Sequence, residues 1–516
     1  MINMCGVDRF AGIDPREYTV VSFAVQRHKT AIKRSELSRP LQLGLEHGLV
    51  TARTSVFDYG CGRGDDIRGL HEKGVKAQGW DPLYHPEPIR TSADVVNLGY
   101  VVNVIEDPRE RVRVLQEAWA LTQTLLIVSA RLSIEANRPN RTTRYSDGHL
   151  TSRGTFQKYY DQMELKEWIN STLKVESVAA GPGIFYVFRN SELQQSFQAA
   201  RFRRRTVIRN RQFSNEFFDQ NRELFQALAN FVTARGRIPD PAEIDVADLI
   251  NAKVGSLHRA FRIVEKVTGS EQLATIRAER SQDLLVYLAL SRFSTRFAFS
   301  KLPRDLQLDI RSFFGNYRKA CDLADDLLFS AGRCEVVSKA CQEASVGKLL
   351  PDALYVHSSA VALLPSVLRV YEGCARAYIG TVENANVIKL KISKPQISYL
   401  YYPHFEKTPH PALMGSLVVP LNTFRIKYTE YFGSSNPFIL HRKETLVAVD
   451  HPLHKRFDRL TKQEERAGLF EQPQLIGTKE GWESVLKMKG LTNSGHRLIK
   501  TAFAKTATVV GACIGG

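Results

Sequence analysis

The sequence contains little cysteine and no close pair of cysteines. Seven cysteines are scattered over 516 residues, and none forms a CxxC motif. Zinc frameworks need closely spaced ligands, and disulfide scaffolds are short secreted chains, so both classes of protein are disfavoured. We therefore predict reduced cysteines and no metal site.

Long apolar runs are also missing. No stretch approaches the ~20 continuous apolar residues that a membrane-spanning helix requires. The opening MINMCGVDRFAGIDPREY carries charges where a signal peptide would have an apolar run. We expect a cytoplasmic protein with no membrane partner, and the length suggests about three domains.

Acidic residues are too few to balance the basic ones. The formal net charge is +17, which favours a polyanionic partner through counterion release, and we predict that this partner is DNA. The alternative is that the densest basic run, at 201–211, is the solvated face of a helix joining two domains. The predicted nucleic-acid contacts are Arg141, Arg144, Arg201, Arg203, Arg204 and Arg205.

Apolar patterning changes twice along the chain. Short strand-like runs alternate with amphipathic helical runs, which is typical of a parallel sheet with crossover helices. The last two of these runs are separated only by Gly181-Pro182-Gly183, so we expect the sheet to end in an antiparallel hairpin. Helical spacing follows, and strand-like alternation then returns. The predicted units are a helical lead-in at 1–54, an α/β domain at 55–190, a helical domain at 191–385 and a smaller β-rich C-terminal domain at 386–516.

A glycine-rich turn follows the first predicted strand. VFDYGCGRGDD has the spacing D-x-G-x-G-x-G, with Asp58 ahead of Gly60, Gly62 and Gly64. Glycines permit a tight strand-to-helix turn and let a ligand approach the backbone. A dinucleotide fingerprint would read G-x-G-x-x-G, and a phosphate-binding P-loop would need Gly-Lys-Ser/Thr, so neither pattern fits.

The register of this turn resembles motif I of class I S-adenosylmethionine-dependent methyltransferases. A second acid, Asp81, stands about 20 residues further on at the end of the next strand, where a carboxylate can accept from both ribose hydroxyls. The resemblance implies a Rossmann-like domain with a mixed seven-stranded sheet and S-adenosyl-L-methionine as cofactor. A different mononucleotide-binding α/β domain, or one that binds nothing, remains the alternative. The predicted cofactor-binding residues are Asp58, Gly60, Cys61, Gly62, Gly64, Asp65, Asp81, Pro82 and Asn97.

The loop after the third strand offers candidates for the methyl-acceptor side. Asn97-Leu98-Gly99-Tyr100 has the Asn-x-x-Tyr spacing of amino-methyltransferases that act on bases, but both middle positions lack the usual proline. We therefore predict Asn97 and Tyr100 as catalytic residues. The alternative is that Asn97 caps a strand and Tyr100 packs. A weaker candidate, Arg34 in the lead-in, could pair with the cofactor's carboxylate.

Most of the chain resembles the bacterial DNA phosphorothioation-associated methyltransferase family. The resemblance rests on TAIKRSELSRP, FDYGCGRGDDIRGL, GWDP, VNLGYVVNVIEDPRER and AAGPGIFYVFRN, and less sharply on LPRDLQLDIRSFFGNY, SYLYYPHF and NPFILHRKET. It implies a methyltransferase acting on or at DNA, with proteins of the phosphorothioation system as partners. A DNA-binding accessory subunit with weak turnover, and a small-molecule or RNA methyltransferase, remain alternatives.

Overall fold

The computed structural model describes residues 25–87, 89–136, 142–204 and 221–501. These residues form an N-terminal α/β domain, a central part in which helices and a second sheet share one core, and a C-terminal module of short elements. Within these ranges, no helix combines the length and the apolar character that crossing a membrane requires.

The N-terminal domain is built on a six-stranded mixed sheet and a small three-stranded one. Its strands are β1 (Ser55–Tyr59), β2 (Lys76–Trp80), β3 (Ala93–Gly99), β4 (Thr122–Ser129), β5 (Thr142–Tyr145), β6 (Gly148–Thr151), β7 (Phe156–Gln157), β8 (Val178–Gly181) and β9 (Ile184–Phe188). The large sheet has the order β2-β1-β3-β4-β9-β8, and β5–β7 form the small sheet. Strands β1 to β4 pair in parallel, while β9 is antiparallel to β4 and β8. The predicted parallel core with a closing hairpin is confirmed.

The predicted number of seven strands is wrong for the described residues, since the large sheet ends at β2. A further strand beyond β2 would have to come from residues 81–92, between β2 and β3. That segment reads DPLYHPEPIRTS and contains three prolines, which donate no ladder hydrogen bond. It forms a turn closed by a bridge between Asp81 and His85.

Helices cover both faces of the large sheet. They are α1 (Arg39–Glu46), α2 (Asp65–Glu72), α3 (Pro108–Leu121), α4 (Gln162–Leu173) and α5 (Ser191–Ala200). Alternate residues of β3 serve opposite faces: Val96 and Leu98 belong to one apolar core and Val95 to the other. Both cores are needed because a parallel strand buried on two sides exposes no polar face to water.

Helices dominate the middle of the chain and return near its end. They are α6 (Arg222–Arg235), α7 (Ala247–Val254), α8 (Leu257–Thr268), α9 (Ser270–Leu290), α10 (Arg304–Phe314), α11 (Tyr317–Ser330), α12 (Cys334–Glu343), α13 (Ser366–Ile379), α14 (His454–Arg466) and α15 (Lys479–Met488). The predicted turn at GRIPDP (236–241) is confirmed, since α6 ends at Arg235 and Gly236 adopts a left-handed φ of 70°. Helices α6 to α8 enclose an apolar core of their own.

The second large sheet is antiparallel throughout. Its strands are β10 (Lys348–Leu350), β11 (Ala353–His357), β12 (Val387–Lys391), β13 (Gln396–Tyr401), β14 (Gly415–Pro420) and β15 (Lys427–Glu430), and they pair in chain order. A last short hairpin consists of β16 (Leu491–Asn493) and β17 (Leu498–Lys500). The strands predicted after residue 385 are confirmed.

The predicted boundary at 385/386 does not divide two structural units. Strands β10 and β11 precede it, and one apolar core joins α9 and α13 to β12 and β13. The short runs KLL and ALYVH lie between helical segments, so their alternation is too brief to stand out in the sequence. Helices and sheet therefore form one central part.

The hairpin edge of the first sheet docks against the end of α13. The Thr381 N–H donates to the Ala180 carbonyl over 2.8 Å, and the Gln162 side chain donates to the Tyr378 carbonyl over 3.1 Å. The same Gln162 side chain accepts from the Gly183 N–H over 2.9 Å. These contacts hold the second sheet opposite the carboxyl end of the first.

Candidate functional site

The glycine turn links β1 to α2 in a conformation that requires glycine. Gly60, Gly62 and Gly64 have φ angles of 83°, 53° and 74°, all in the left-handed region that residues with a Cβ avoid. A Cβ on Gly60 would also lie 2.5 Å from the Val101 side chain. The N–H groups of Gly60 and Cys61 donate to the Trp80 carbonyl, which fixes the turn to the end of β2. The predicted tight turn is confirmed.

Asp81 lies directly over this turn because β1 and β2 pair in parallel and end side by side. Its carboxylate accepts from the Gly62 N–H over 3.1 Å and from the N–H groups of Leu83 and Tyr84 over 2.9 Å each. A carboxylate offers about four lone-pair positions, so about one is left for a ligand hydroxyl. The structure thus brings Asp81 to the glycines, and Pro82 follows it as an exposed residue of the turn.

Asp58 and Asn97 meet beneath the turn. They are register partners in β1 and β3, and the Asn97 amide donates to the Asp58 carboxylate over 2.8 Å. Burial and the nearby charge of Asp66 raise the pKa of Asp58 to about 7, against the lowering effect of this hydrogen bond. Asn97 is only 1% exposed, and its Oδ1 has no partner among the described residues. Asn97 therefore positions Asp58 and does not face an acceptor directly.

Asp65 and Asp66, at the start of α2, hold the lead-in segment over the sheet. Asp65 accepts from the Arg34 N–H over 2.7 Å and pairs with Arg68. Burial alone would raise the pKa of Asp65, but these contacts outweigh it and keep the pKa below its usual range. Asp66 accepts from the Ser38 N–H over 2.6 Å and lies 3.7 Å from the Arg34 guanidinium. The Asp65 carboxylate thus binds this chain's own backbone, and its predicted contact with the cofactor stays a prediction.

Cys61 contributes backbone and packing to the turn. A Cβ on Gly79 would lie 2.8 Å from the Cys61 Cβ, so the side chain fits against a glycine of β2. Burial and the charges of Asp58 and Asp81 raise the pKa of the Cys61 thiol to about 12. The thiol therefore stays protonated and unreactive at neutral pH.

A cleft of about 1010 Å³ opens beside the turn. One wall comes from the lead-in, including Arg34, and from the loops after β3 and β4. The other wall comes from the segment 381–384 after α13 and from Leu417, Tyr428 and Glu430 of the second sheet. This volume is at the upper end of the range for small-molecule sites, so it can hold a cofactor together with an acceptor group.

Tyr100 lines this cleft, and its predicted catalytic role stays a prediction. Its φ of 59° is unusual for a bulky residue, and its N–H donates to the backbone carbonyl and the hydroxyl of Ser129. Burial and the charge of Glu135 raise the pKa of Tyr100 to about 12, so the hydroxyl stays protonated. Strained backbone held by neighbouring strands is often found at functional sites.

Asn103 was missed by sequence reasoning. It lies three residues after Tyr100, lines the cleft and is 1% exposed. Its side-chain oxygen has no partner among the described residues, although nearly all buried polar groups in proteins are paired. In the sequence, Asn103 is an ordinary asparagine within VVNVIED, and no motif around it indicates a functional site.

The predicted nucleic-acid contacts fall into different environments. Arg141 and Arg205 lie outside the described residues, and Arg144 is exposed on β5. Arg204 is 3.2 Å from the carboxylate of Asp283. Arg201 and Arg203 are turned inward, and burial lowers the pKa of each guanidinium group.

The inward contacts of these arginines arise because residues 201–204 lie between the first sheet and the central helices. Arg201 donates to the Ala179 carbonyl of β8 over 3.1 Å, and Asp283 of α9 also pairs with Arg280 and Arg369. The run therefore joins the first sheet to the central helices. Phosphate contact by these residues stays a prediction, and it would require them to leave these partners.

A second group of buried ionisable residues, called here the polar cluster, lies in the C-terminal module. Its members are His410, His441, Lys443, Glu464 and His496. The Lys443 ammonium donates to the carbonyls of Phe405 and Thr408 over 2.7 and 2.6 Å and lies 3.0 Å from the His496 ring nitrogen. Burial lowers the pKa of Lys443 to about 7.

The other half of the polar cluster packs on Trp482. The carboxyl group of Glu464 is 2.8 Å from Nε2 of His410, and the rings of His410 and His441 both contact the indole. Burial raises the pKa of Glu464 to about 8 and lowers the pKa values of both histidines to about 3. None of these residues lines the cleft described above.

The strand order and the glycine turn define the N-terminal part as a Rossmann-like α/β domain with a tight glycine turn after its first strand. Several solved methyltransferases are similar to about a third of the chain. The 1,6-didemethyltoxoflavin-N1-methyltransferase of Burkholderia thailandensis, with its substrate and S-adenosylhomocysteine bound, is 14% identical over 32% of this chain and 79% of that chain, with a TM-score of 0.23.

Two further solved structures give the same range of likeness. An amino pentose methyltransferase from Micromonospora echinaspora, with S-adenosylmethionine bound, is 13% identical over 29% of this chain and 88% of that chain, with a TM-score of 0.22. A methyltransferase from Streptomyces caelestis is 13% identical over 32% of this chain and 96% of that chain, with a TM-score of 0.24. With scores this low, the fold assignment rests on the chain's own strand order. No protein-family model and no curated protein sequence matches the chain.

Proposed function

We propose that this chain is an S-adenosyl-L-methionine-dependent methyltransferase whose cofactor lies on the turn 60–64. The observation that carries the proposal is three left-handed glycines next to the Asp81 carboxylate, with Arg34 and Tyr100, which line a cleft, on neighbouring segments. The residues fit this cofactor: the glycines leave the backbone accessible, and Asp81 retains a position for a ribose hydroxyl. Asp58 lies below the turn and is held there by Asn97.

The cofactor supplies a methyl group on a sulfonium, which transfers by in-line displacement. The protein then mainly has to orient the acceptor and exclude water. Tyr100, on the wall shared with the lead-in, contributes its ring to the acceptor side. Arg34, 3.7 Å from Asp66, is close enough to the turn to pair with the cofactor's carboxylate.

For the acceptor we propose DNA or a component linked to DNA, with proteins of DNA phosphorothioation as partners. The net charge of +17 supports a polyanionic partner, and Arg144 is exposed on β5. A second candidate is a small-molecule methyltransferase. The volume of the cleft, which is that of a small-molecule site, favours this candidate.

An accessory subunit with weak turnover is a third candidate. It is favoured by the Asp65 carboxylate, which is occupied by the lead-in, and by the close approach of Val101 to Gly60. Both features narrow the space in front of the turn. The cofactor would then serve to stabilise one conformation of the chain and not to donate a methyl group.

Methyl transfer from isotope-labelled S-adenosylmethionine separates these candidates. Duplex DNA with and without backbone sulfur, RNA and a low-molecular-mass cell extract are offered in parallel. Label in either DNA pool supports the first candidate, and label only in the extract supports the second. Cofactor binding without label in any pool favours the accessory subunit, and absence of cofactor binding contradicts the proposal.

A further inference from the structure

The wall of the cleft opposite the glycine turn is formed by the edge strand of the second sheet. Tyr428 stands opposite Leu417 and Glu430 opposite Gly415 in the β14–β15 register, so both side chains are on one face. Glu430 is exposed, and Tyr428 is 38% exposed. Gly415 leaves room for the Tyr428 side chain, since a Cβ on this glycine would lie 3.2 Å from the Tyr428 hydroxyl.

The wall of the α/β domain carries charges of both signs. Lys33, Arg34 and Arg131 line it together with Glu36 and Glu135. On the opposite wall, Glu383 lies 3.9 Å from the Arg39 guanidinium of the lead-in, while Glu430 lines the cleft. Lys33 and Arg34 suit the carboxylate end of the cofactor, and Glu430 suits a group that donates hydrogen bonds.

Asn103 adds an acceptor that is already desolvated. Its side chain is 1% exposed, lines the cleft, and leaves Oδ1 without a partner among the described residues. A buried, unpaired carbonyl oxygen is costly unless a ligand pairs with it. An N–H donor would satisfy it, whereas a phosphate, which carries only acceptors at neutral pH, would not.

We propose that the acceptor side of the cleft binds a flat, amine-bearing ring of nucleobase size through Asn103 and Glu430. The amine donates to the Asn103 oxygen and to the Glu430 carboxylate, and the rings of Tyr100 and Tyr428 contact its faces. The proposal rests on the proposed function, since the cofactor fills the other side of the same cleft. The ring can come from a free nucleoside or from a single base of a DNA strand, because enzymes that modify bases take them out of the stack.

The first test is a calorimetric titration of the full chain saturated with S-adenosylhomocysteine. Deoxyadenosine and deoxycytidine carry an exocyclic amine, and deoxyinosine and deoxyuridine serve as matched probes in which a carbonyl replaces it. We expect the amine-bearing pair to bind at least about 10-fold more tightly, which is the usual effect of a hydrogen bond to a charged group. Equal binding of all four, or binding of none, overturns the proposal.

Failure of the proposed function is distinguishable in the same experiment. If S-adenosylhomocysteine itself does not bind, the cofactor site is contradicted and this inference is overturned with it. If it binds and no nucleoside follows, only the inference is overturned. A short single-stranded oligonucleotide forms the second arm: tighter binding than the nucleoside identifies DNA as the source, and equal binding identifies the free compound.

Two variants test the named contacts. Glu430→Ala should weaken deoxyadenosine binding about 10-fold and remove the preference over deoxyinosine, with Glu343→Ala, an exposed carboxylate on α12, as the control. Asn103→Leu should abolish nucleoside binding without lowering the melting temperature, because it removes an unpaired buried oxygen. A lowered melting temperature with binding retained shows that Asn103 is merely structural and overturns its assignment.

Discussion

Two of the regions that collect buried ionisable groups in this chain differ in what lies beside them. Beneath the glycine turn, Asp58 is paired with Asn97, and the Asp66 carboxylate binds the lead-in. In the polar cluster, Lys443 and Glu464 are enclosed by carbonyls, histidines and an indole. The lead-in that Asp66 binds lines the cleft, and no member of the polar cluster does. Perturbed pKa values alone therefore do not identify a site; access for a ligand does.

The largest expected effect comes from closing the glycine turn. Gly60→Ala should abolish S-adenosylmethionine binding, because a Cβ there would lie 2.5 Å from Val101 and the φ of 83° is strained for alanine. Gly74→Ala is the matched control, with a φ of 74° and no atom within 4 Å of its added Cβ. Both variants carry backbone strain of about 1–2 kcal/mol. Calorimetry should show lost binding for the first and normal binding for the second.

The next prediction compares one buried carboxyl group from each region. The folded state raises the pKa of Asp58 from 3.8 to about 7, so stability present at low pH is lost as the pH rises through that window. Asp58→Asn should therefore be more stable than wild type at pH 8 and similar at pH 4. The gain should grow as the pH rises from about 4 to about 7 and then level off.

Glu464→Gln should change the stability in the same direction as Asp58→Asn, but it should leave cofactor binding unchanged. The pKa of Glu464 rises from 4.5 to about 8 on folding, so its variant gains stability above pH 8. Thermal unfolding at pH 4, 6, 8 and 9 measures both curves. Cofactor affinity should fall for Asp58→Asn alone; an equal fall for Glu464→Gln would show that the two regions are coupled.

A smaller effect is expected from the arginines. Arg204→Ala should lower the unfolding free energy by about 1 kcal/mol, since Asp283 keeps Arg280 and Arg369 as partners. Its affinity for duplex DNA should not change. Arg144→Ala should do the reverse, lowering DNA affinity and its salt dependence while leaving stability unaltered. If Arg204→Ala reduces the salt slope, the run contacts phosphate after all.

How far the sequence predicted this molecule depends on the range of the interactions. The glycine turn, Asp81 and the closing hairpin depend on local backbone and on strand order, so D-x-G-x-G-x-G and Gly-Pro-Gly were sufficient signals. The environment of Arg204 depends on Asp283, which lies far along the chain. The sequence therefore predicted an exposed basic segment, because this distant partner was not visible in it. Asn103 shows the same limit: only the fold places its oxygen in a cleft without a partner.

The central claim is that the carboxyl end of the first sheet binds S-adenosylmethionine, and a titration of wild type, Asp81→Ala and Asp94→Ala tests it most directly. Asp94, at the other end of β3, accepts from the N–H and hydroxyl of Ser55 over 2.8 and 2.7 Å, so it also caps backbone but is remote from the turn. We predict that wild type and Asp94→Ala bind alike and that Asp81→Ala binds at least about 10-fold more weakly. Undiminished binding by Asp81→Ala, or no binding by wild type, would contradict the account.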